Sequence, residues 1–275
     1  MTKENIATVK GYDGLSLSHN GPFNSDFYPI LASYGIKQIA QRSAGFDMYD
    51  LEEAAKHNLI ITTVPSYSPS SIAEFAVTGA LYFVRQVPLI QQRMQQHNFV
   101  WDQPLISRPV KDLTVAVVGI GRIGSVTARL FHGFGCKIVG YDPVKNPELE
   151  NIVDYKDTLV DTISEADIVS LHVPGNKETY HLFNESVFEQ LKDGVILVNA
   201  SRGTVVETEA LLNALNSNKV SGAVIDTYEN EAHYYRRDFS EQTIEDENLL
   251  ELIRRDDVLA LSLIHISEPT RQAEI

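Results

Sequence analysis

Gly119, Gly121 and Gly124 stand in G-x-G-x-x-G spacing between two apolar runs, Thr114–Val118 and Lys137–Tyr141, and Asp142 follows the second run. Strand, glycine turn, helix, strand and acid in that order are the setting a dinucleotide-binding fingerprint requires. One glycine makes the tight turn, one lets backbone approach a pyrophosphate, and one lets helix pack on strand. The helix start offers unpaired N–H groups and a positive dipole end to the phosphates. Asp142 is placed to accept hydrogen bonds from an adenosine ribose, and its charge opposes a 2′-phosphate, which favours NAD over NADP. A nucleotide-like ligand such as S-adenosylmethionine is the competing occupant.

In an open parallel sheet, ligands bind beyond the carboxyl ends of the strands. Pro174 follows the apolar run 168–173, and Ser201, Arg202 and Gly203 follow the run 195–200. Asp226 closes the run 220–226, with Thr227, Tyr228, Glu229, Asn230 and Glu231 behind it. The planar fork of an arginine suits a small carboxylate. A carboxylate beside a histidine can orient it and keep it charged as a general acid. Arg202, just past a strand end, therefore reads as functional. Glu231 lies in an acid-rich loop and by residue type alone reads as a solvated charge.

These groups need an α/β frame. Residues 15–17, 37–40 and 59–61 read as strands, with helices over 27–34 and 51–57 between them. Such alternation implies a parallel sheet covered by helices. Pro65 and Pro69 punctuate a loop, after which the spacing predicts one long helix over 71–95, with Ser71 and Glu74 as its capping box. The alternation resumes with strands over Thr114–Val118, Lys137–Tyr141, 168–173, 195–200 and 220–226, and a helix over 207–216. The expected architecture is two doubly wound parallel α/β units joined by the long helix. Residues 226–257, acidic and spotted with aromatics, read as a surface excursion.

At 275 residues the chain is long enough for two domains with ample core. Acidic residues outnumber basic ones 37 to 23, a formal net charge of −14, and that balance argues against nucleic acid as a partner. Cys136 is the only cysteine, so no disulfide can form within the chain and no thiolate metal cluster is possible. It reads as an inert core residue. No apolar run approaches the roughly 20 residues of a membrane helix, and the first residues lack the apolar core of a secretory signal. The expected location is the cytoplasm. His172, in an apolar strand, reads as a packed, hydrogen-bonded side chain, and His181 either lines the cofactor site or lies on the surface. His233 stands two residues after Glu231 without a third ligand at metal-binding spacing, so no metal is expected.

In combination, the strings RSAGFD, VPSYSPSSIAE, VVGIGRIG, YDP, LHVP, NASRGTVV and DTYENE resemble the D-2-hydroxyacid dehydrogenases over residues 2–259, most closely the branch that forms D-lactate. The resemblance implies a flavodoxin-like substrate domain over 1–67 and a Rossmann NAD-binding domain over 68–260 that includes the linking helix. It implies reduction of a 2-keto acid by NADH, with pyruvate and D-lactate as the expected pair and a homodimer formed through the cofactor domain. Larger keto acids of the 2-hydroxyisocaproate type, or a non-catalytic NAD-binding protein on the same fold, are the alternatives.

The resemblance also assigns residues. Arg202 matches the arginine that binds the substrate carboxylate and polarises its carbonyl. Glu231 matches the glutamate that holds the catalytic histidine, and Asp226 matches a further acid near the nicotinamide. Arg122 and Ile123 match the cofactor-contacting pair in the glycine turn. Val173, Pro174, Thr179, Ala200 and Ser201 fall at other cofactor contacts, and Ala44, Gly45 and Tyr67 fall where the smaller domain meets the substrate. Beyond residue 259 the family continues through a proline and the catalytic histidine. Here Leu263 stands at the histidine's position, and His265, two residues on, lacks the expected neighbours. The stretch LSLIHISEPTR resembles a translated sequencing adapter, so 261–275 is expected to be non-native. Relatives carry a strand and helix ahead of the point matching Met1, and a chain without these pieces is expected to be nearly inactive.

Overall fold

The computed structural model describes residues 1–18, 23–66, 69–234 and 237–260. The chain divides into two units, Met1–Tyr67 and Ser68–Ile275. In the first, β1 (Gly14–Leu17), α1 (Phe27–Ser33), β2 (Gln38–Gln41), α2 (Leu51–Lys56) and β3 (Ile60–Thr62) alternate, and the strands form one parallel sheet in the order β1-β2-β3. Asp50 caps α2 by accepting from the Glu53 amide at 2.9 Å, with Glu52 and Glu53 in the first turn and Lys56 in the last. Those charges complement the helix dipole. Tyr28, Leu31, Ile39 and Ala54 make the centre of this unit's core.

The second unit begins with α3 (Pro69–Val84) and α4 (Val87–Gln95). It continues with β4 (Thr114–Val118), α5 (Arg122–Gly133), β5 (Lys137–Tyr141), β6 (Val153–Tyr155), α6 (Leu159–Ile163), β7 (Ile168–Leu171) and α7 (Glu185–Glu189). It closes with β8 (Val195–Asn199), α8 (Thr208–Asn216), β9 (Val220–Ile225), α9 (Glu247–Arg254) and β10 (Val258–Ala260). All seven strands are parallel, in the order β10-β9-β8-β7-β4-β5-β6. The winding direction reverses between β4 and β7, and a crevice opens at such a reversal beyond the strand ends. Every residue of β7 and β8 is buried, as expected where helices cover both faces of a parallel sheet. One face packs against α3 and α5 through Ala76, Ala80, Ala128 and Phe131, and the other packs against α7, α8 and α9 through Phe188, Leu211, Leu249 and Leu252.

Four expectations need correction. The helix over 71–95 is two helices, because Gln86 takes a left-handed φ of 54° and Pro88 in the first turn of α4 cannot extend a helix from before it. The capping box fails because α3 starts at Pro69, which leaves Ser71 inside the first turn. The short edge strands β6 and β10 were not foreseen. Residues 226–257 are also more than a surface excursion. Tyr228 is buried and donates to Asp246 at 2.7 Å, and α9 turns Leu249 and Leu252 into the core. Burial first, and Asp246 second, push the Tyr228 phenol up, so it remains a donor. No helix among the described residues is long and apolar enough to cross a membrane.

Candidate active site at the carboxyl edge of the larger sheet

The glycine turn joins β4 to α5. Gly119 has φ +89°, and a Cβ there would meet the His172 carbonyl at 2.7 Å and the Val173 nitrogen at 2.9 Å. The turns after β4 and β7 therefore touch at the reversal point. Around a Cβ on Gly121 there is no atom within 4 Å, so backbone lies open to a ligand there, and a Cβ on Gly124 would fall on the Gly119 carbonyl oxygen. These are the three jobs of the fingerprint. Gly121 is the N-cap of α5 and makes no side-chain cap hydrogen bond, so the helix start is available to phosphate oxygens. Arg122 is exposed and Ile123 half-buried in the first turn of α5.

Asp142 follows β5, and the glycine turn holds it directly: Ile120 N–H donates to its Oδ2 at 2.7 Å and Val144 N–H to its Oδ1 at 2.8 Å. Each carboxylate oxygen retains lone pairs for ribose hydroxyls. The residues present thus fit a dinucleotide. Pro174 is exposed, and its carbonyl accepts from Thr179 Oγ1 at 2.6 Å, so Thr179 folds the loop after β7 back on itself.

Buried Asn199, at the end of β8, organises the next loop. Its Oδ1 accepts from Ser201 N at 3.1 Å and Ser201 Oγ at 2.6 Å, while its Nδ2 donates to the Arg202 carbonyl at 3.0 Å. Ala200 and Ser201 are buried in consequence, and Arg202 emerges half-buried with Nη1 donating to the Ser201 carbonyl at 2.9 Å. Asp226 is half-buried at the end of β9, its N–H donating to the Asn199 carbonyl at 2.9 Å. Glu231 Oε2 accepts from Tyr228 N–H at 3.1 Å.

The second unit thus brings Gly119, Gly121, Gly124, Asp142, Val173, Pro174, Arg202, Asp226 and Glu231 to one edge of one sheet. In the first unit, exposed Ala44 and half-buried Gly45 lie on the turn after β2, where Ser43 Oγ donates to the Gly45 carbonyl at 3.1 Å and accepts from buried Gln41 at 2.7 Å. Tyr67, Leu263 and His265 lie outside the described residues. Asn199 and Glu229 were not singled out from sequence. A polar residue ending an apolar run and followed two positions later by Ser was the available signal for Asn199. No group of three potential metal ligands exists among the described residues.

His172 Nε2 lies 2.9 Å from Ser170 Oγ, and its buried Nδ1 has no hydrogen-bond partner among the described residues. Burial pushes its pKa down to about 3. The folded value lies below the unfolded one of ~6.5, so the neutral ring contributes stability above that pH which is lost as pH falls toward 3. Acidification from pH 7 to pH 5 is expected to cost about 2 kcal/mol through this group. Denaturant titrations at both pH values check it: His172→Asn should flatten the difference, and an unchanged difference contradicts the assignment.

Residues 77–264 match the D-isomer specific 2-hydroxyacid dehydrogenase, NAD binding domain family. A D-lactate dehydrogenase of Staphylococcus epidermidis is 51% identical over 259 residues, which span 94% of this chain and 78% of that protein. Among solved structures, a D-lactate dehydrogenase from Treponema pallidum superposes with a TM-score of 0.85 at 34% identity, covering 98% of this chain and 81% of the other. The Aquifex aeolicus D-lactate dehydrogenase, solved in complex with NAD and lactic acid, gives a TM-score of 0.85 at 33% identity over 96% of this chain and 80% of its own. With these likenesses the S-adenosylmethionine alternative falls away. The chain belongs to the D-isomer specific 2-hydroxyacid dehydrogenases and carries their NAD-binding domain.

Proposed function

We propose that this chain's site reduces a small 2-keto acid to the D-2-hydroxy acid with NADH, and that pyruvate and D-lactate are the pair. The lactate named with the Aquifex relative and the name of the Staphylococcus relative favour that pair over bulkier acids. The observation that carries the reading is the convergence of Arg202, on its Asn199-anchored loop, with the glycine turn at one sheet edge. NADH, when bound, supplies the hydride. Gly119, Gly121, Arg122, Ile123 and Gly124 would hold its pyrophosphate and Asp142 its ribose. By the family pattern Val173, Pro174, Thr179, Ala200, Ser201 and Asp226 would supply its other contacts. Arg202 binds the substrate carboxylate bidentately and polarises the carbonyl. Glu231 would, by the same pattern, orient a histidine, at the position Leu263 occupies here, that protonates the developing alkoxide. By the family pattern Ala44, Gly45 and Tyr67 belong to the keto-acid side.

Leu263 stands where that histidine is expected, and loss of a general acid costs roughly 10²–10⁴ in rate. We therefore expect this 275-residue chain to reduce pyruvate far more slowly than the Staphylococcus relative. An assay of NADH oxidation with pyruvate, side by side with that relative, tests both statements. Equal rates contradict the expected slowness, and faster turnover of phenylpyruvate or branched keto acids than of pyruvate contradicts the substrate.

We infer a homodimer as well. Phe99, Val100 and Trp101 are 72%, 63% and 76% exposed, an apolar run that a lone soluble unit rarely presents. It is held in shape, because Arg93 grips Asp102 through two bonds of 2.8 and 3.0 Å and also donates to the Val100 carbonyl at 3.1 Å. Trp101 is the only tryptophan. On dilution its emission should shift to the red as the copies separate, whereas emission independent of concentration, with a monomer in sedimentation, contradicts the dimer.

A further inference from the structure

We propose that Glu229 is a positioning residue for the active-site edge, clasping the three loops after β7, β8 and β9 so that Arg202 and Glu231 keep a fixed spacing; this rests on the roles given to those two residues above. Glu229 stands two residues before Glu231, yet its own carboxylate faces the other loops. Oε1 lies 2.5 Å from His181 Nε2, on the loop after β7. Oε2 accepts from Thr208 Oγ1 at 2.9 Å and from the Thr208 N–H at 3.3 Å, where the loop carrying Arg202 enters α8.

Helix α8 makes no use of its own N-cap for this, since Glu207 forms no side-chain cap hydrogen bond. The Glu229 carboxylate, from a distant loop, joins Glu209 of the helix's own first turn there, and negative charge at that end is favoured by the helix dipole. The His181 and Glu229 side chains are only 25% and 20% exposed, so water competes less for this hydrogen bond than for one at the surface. His181 itself holds a left-handed φ of 48°, a conformation a non-glycine residue keeps only when its surroundings fix it.

Backbone contacts make the clasp effective at the two functional side chains. His181 N–H donates to the Thr204 carbonyl at 2.8 Å and Phe183 N–H to the Val205 carbonyl at 3.0 Å, lacing the loop after β7 to the segment just past Arg202. Gly203, next to Arg202, packs so closely on the Tyr228 carbonyl and the Glu229 nitrogen that a Cβ would overlap both. Tyr228 N–H in turn donates to the Glu231 carboxylate. The path from Arg202 to Glu231 is therefore short, all backbone at its centre, and locked from one side by Glu229. No catalytic contact is assigned to Glu229 itself.

The test compares the 275-residue chain with its Glu229→Gln form by peptide-resolved hydrogen exchange, NADH titration and oxamate titration of the NADH complex. Charge-assisted hydrogen bonds are strong enough that exchange over 203–208 and 228–231 should speed up roughly tenfold or more. Exchange over 119–124 and NADH affinity should stay within about twofold, and oxamate affinity should fall roughly tenfold. Thr208→Val, which removes one of the three bonds, should loosen the same peptides less. Unchanged exchange in those peptides, or a uniform rise across the whole unit, overturns the clasp. Loosened loops with equal oxamate behaviour in both forms overturn the positioning role. Failure of the unaltered chain to bind NADH would count against the dinucleotide reading, whereas the exchange result decides the clasp on its own.

Discussion

Gly124→Ala is expected to weaken NADH binding by roughly two orders of magnitude or more while the second unit stays folded. The new methyl group would fall on the Gly119 carbonyl oxygen, and Val117 closes the other side, with its Cγ1 3.3 Å from that position. Backbone must move, because the obstructing atom is not the end of a flexible side chain. Gly119 cannot recede, since it is itself packed on His172 and Val173. The helix start therefore lifts away from the turn, and the amides aimed at phosphate lose their geometry. Overpacking of this kind costs roughly 1–3 kcal/mol in stability, tolerable for a unit with two large cores, but misaimed amides do not bind. We expect NADH affinity to drop by ~100-fold or more, equivalent to about 2.7 kcal/mol. Gly121→Ala is the instructive partner, because its methyl group meets no protein atom within 4 Å. Its melting temperature should stay put while NADH weakens, since the space it fills is the ligand's. Retention of full affinity in both variants, read by NADH fluorescence, contradicts the assigned turn.

Arg202→Leu carries the second large effect. Two hydrogen bonds from a guanidinium to a carboxylate, each worth roughly 1.5–3 kcal/mol, disappear together, and so does the charge that polarises the keto oxygen. The expected loss in kcat/KM for pyruvate is roughly 10²–10⁴-fold relative to the unaltered chain, with NADH affinity little changed. Arg202→Lys keeps a point charge without the fork and should fall between the two. Asn199 holds the loop, so Asn199→Ala should reproduce part of the loss through a raised KM. A kcat/KM for Arg202→Leu within tenfold of the unaltered chain, which is about 1.4 kcal/mol, would remove Arg202 from the carboxylate site.

How far the chain can be read without coordinates follows from the range of the interactions involved. The glycine turn and Asp142 were legible because their chemistry is local: strand, turn, helix, strand and acid lie within 114–142. The central strands were legible as apolar runs because both faces of β7 and β8 are buried. Three-residue β6 and β10 at the sheet edges carry too few residues to show a period. The break between α3 and α4 was marked by Pro88, but the left-handed Gln86 that makes it has no signature in residue type. Glu229 was illegible for a different reason: its partners Thr208 and His181 lie 21 and 48 residues away, and only the loop geometry brings them together. The buried face of α9 could have been read from Leu249 and Leu252, three residues apart, had the acidic surroundings not dominated.

Titration of the unaltered chain with NADH, repeated with NADPH, reads the dinucleotide site itself. NADH should bind saturably and be displaced by NAD, and NADPH should bind much more weakly, because its 2′-phosphate would face the Asp142 carboxylate that Ile120 and Val144 hold in place. No saturable NADH binding, or equal affinity for the two nucleotides, would contradict the NAD reading.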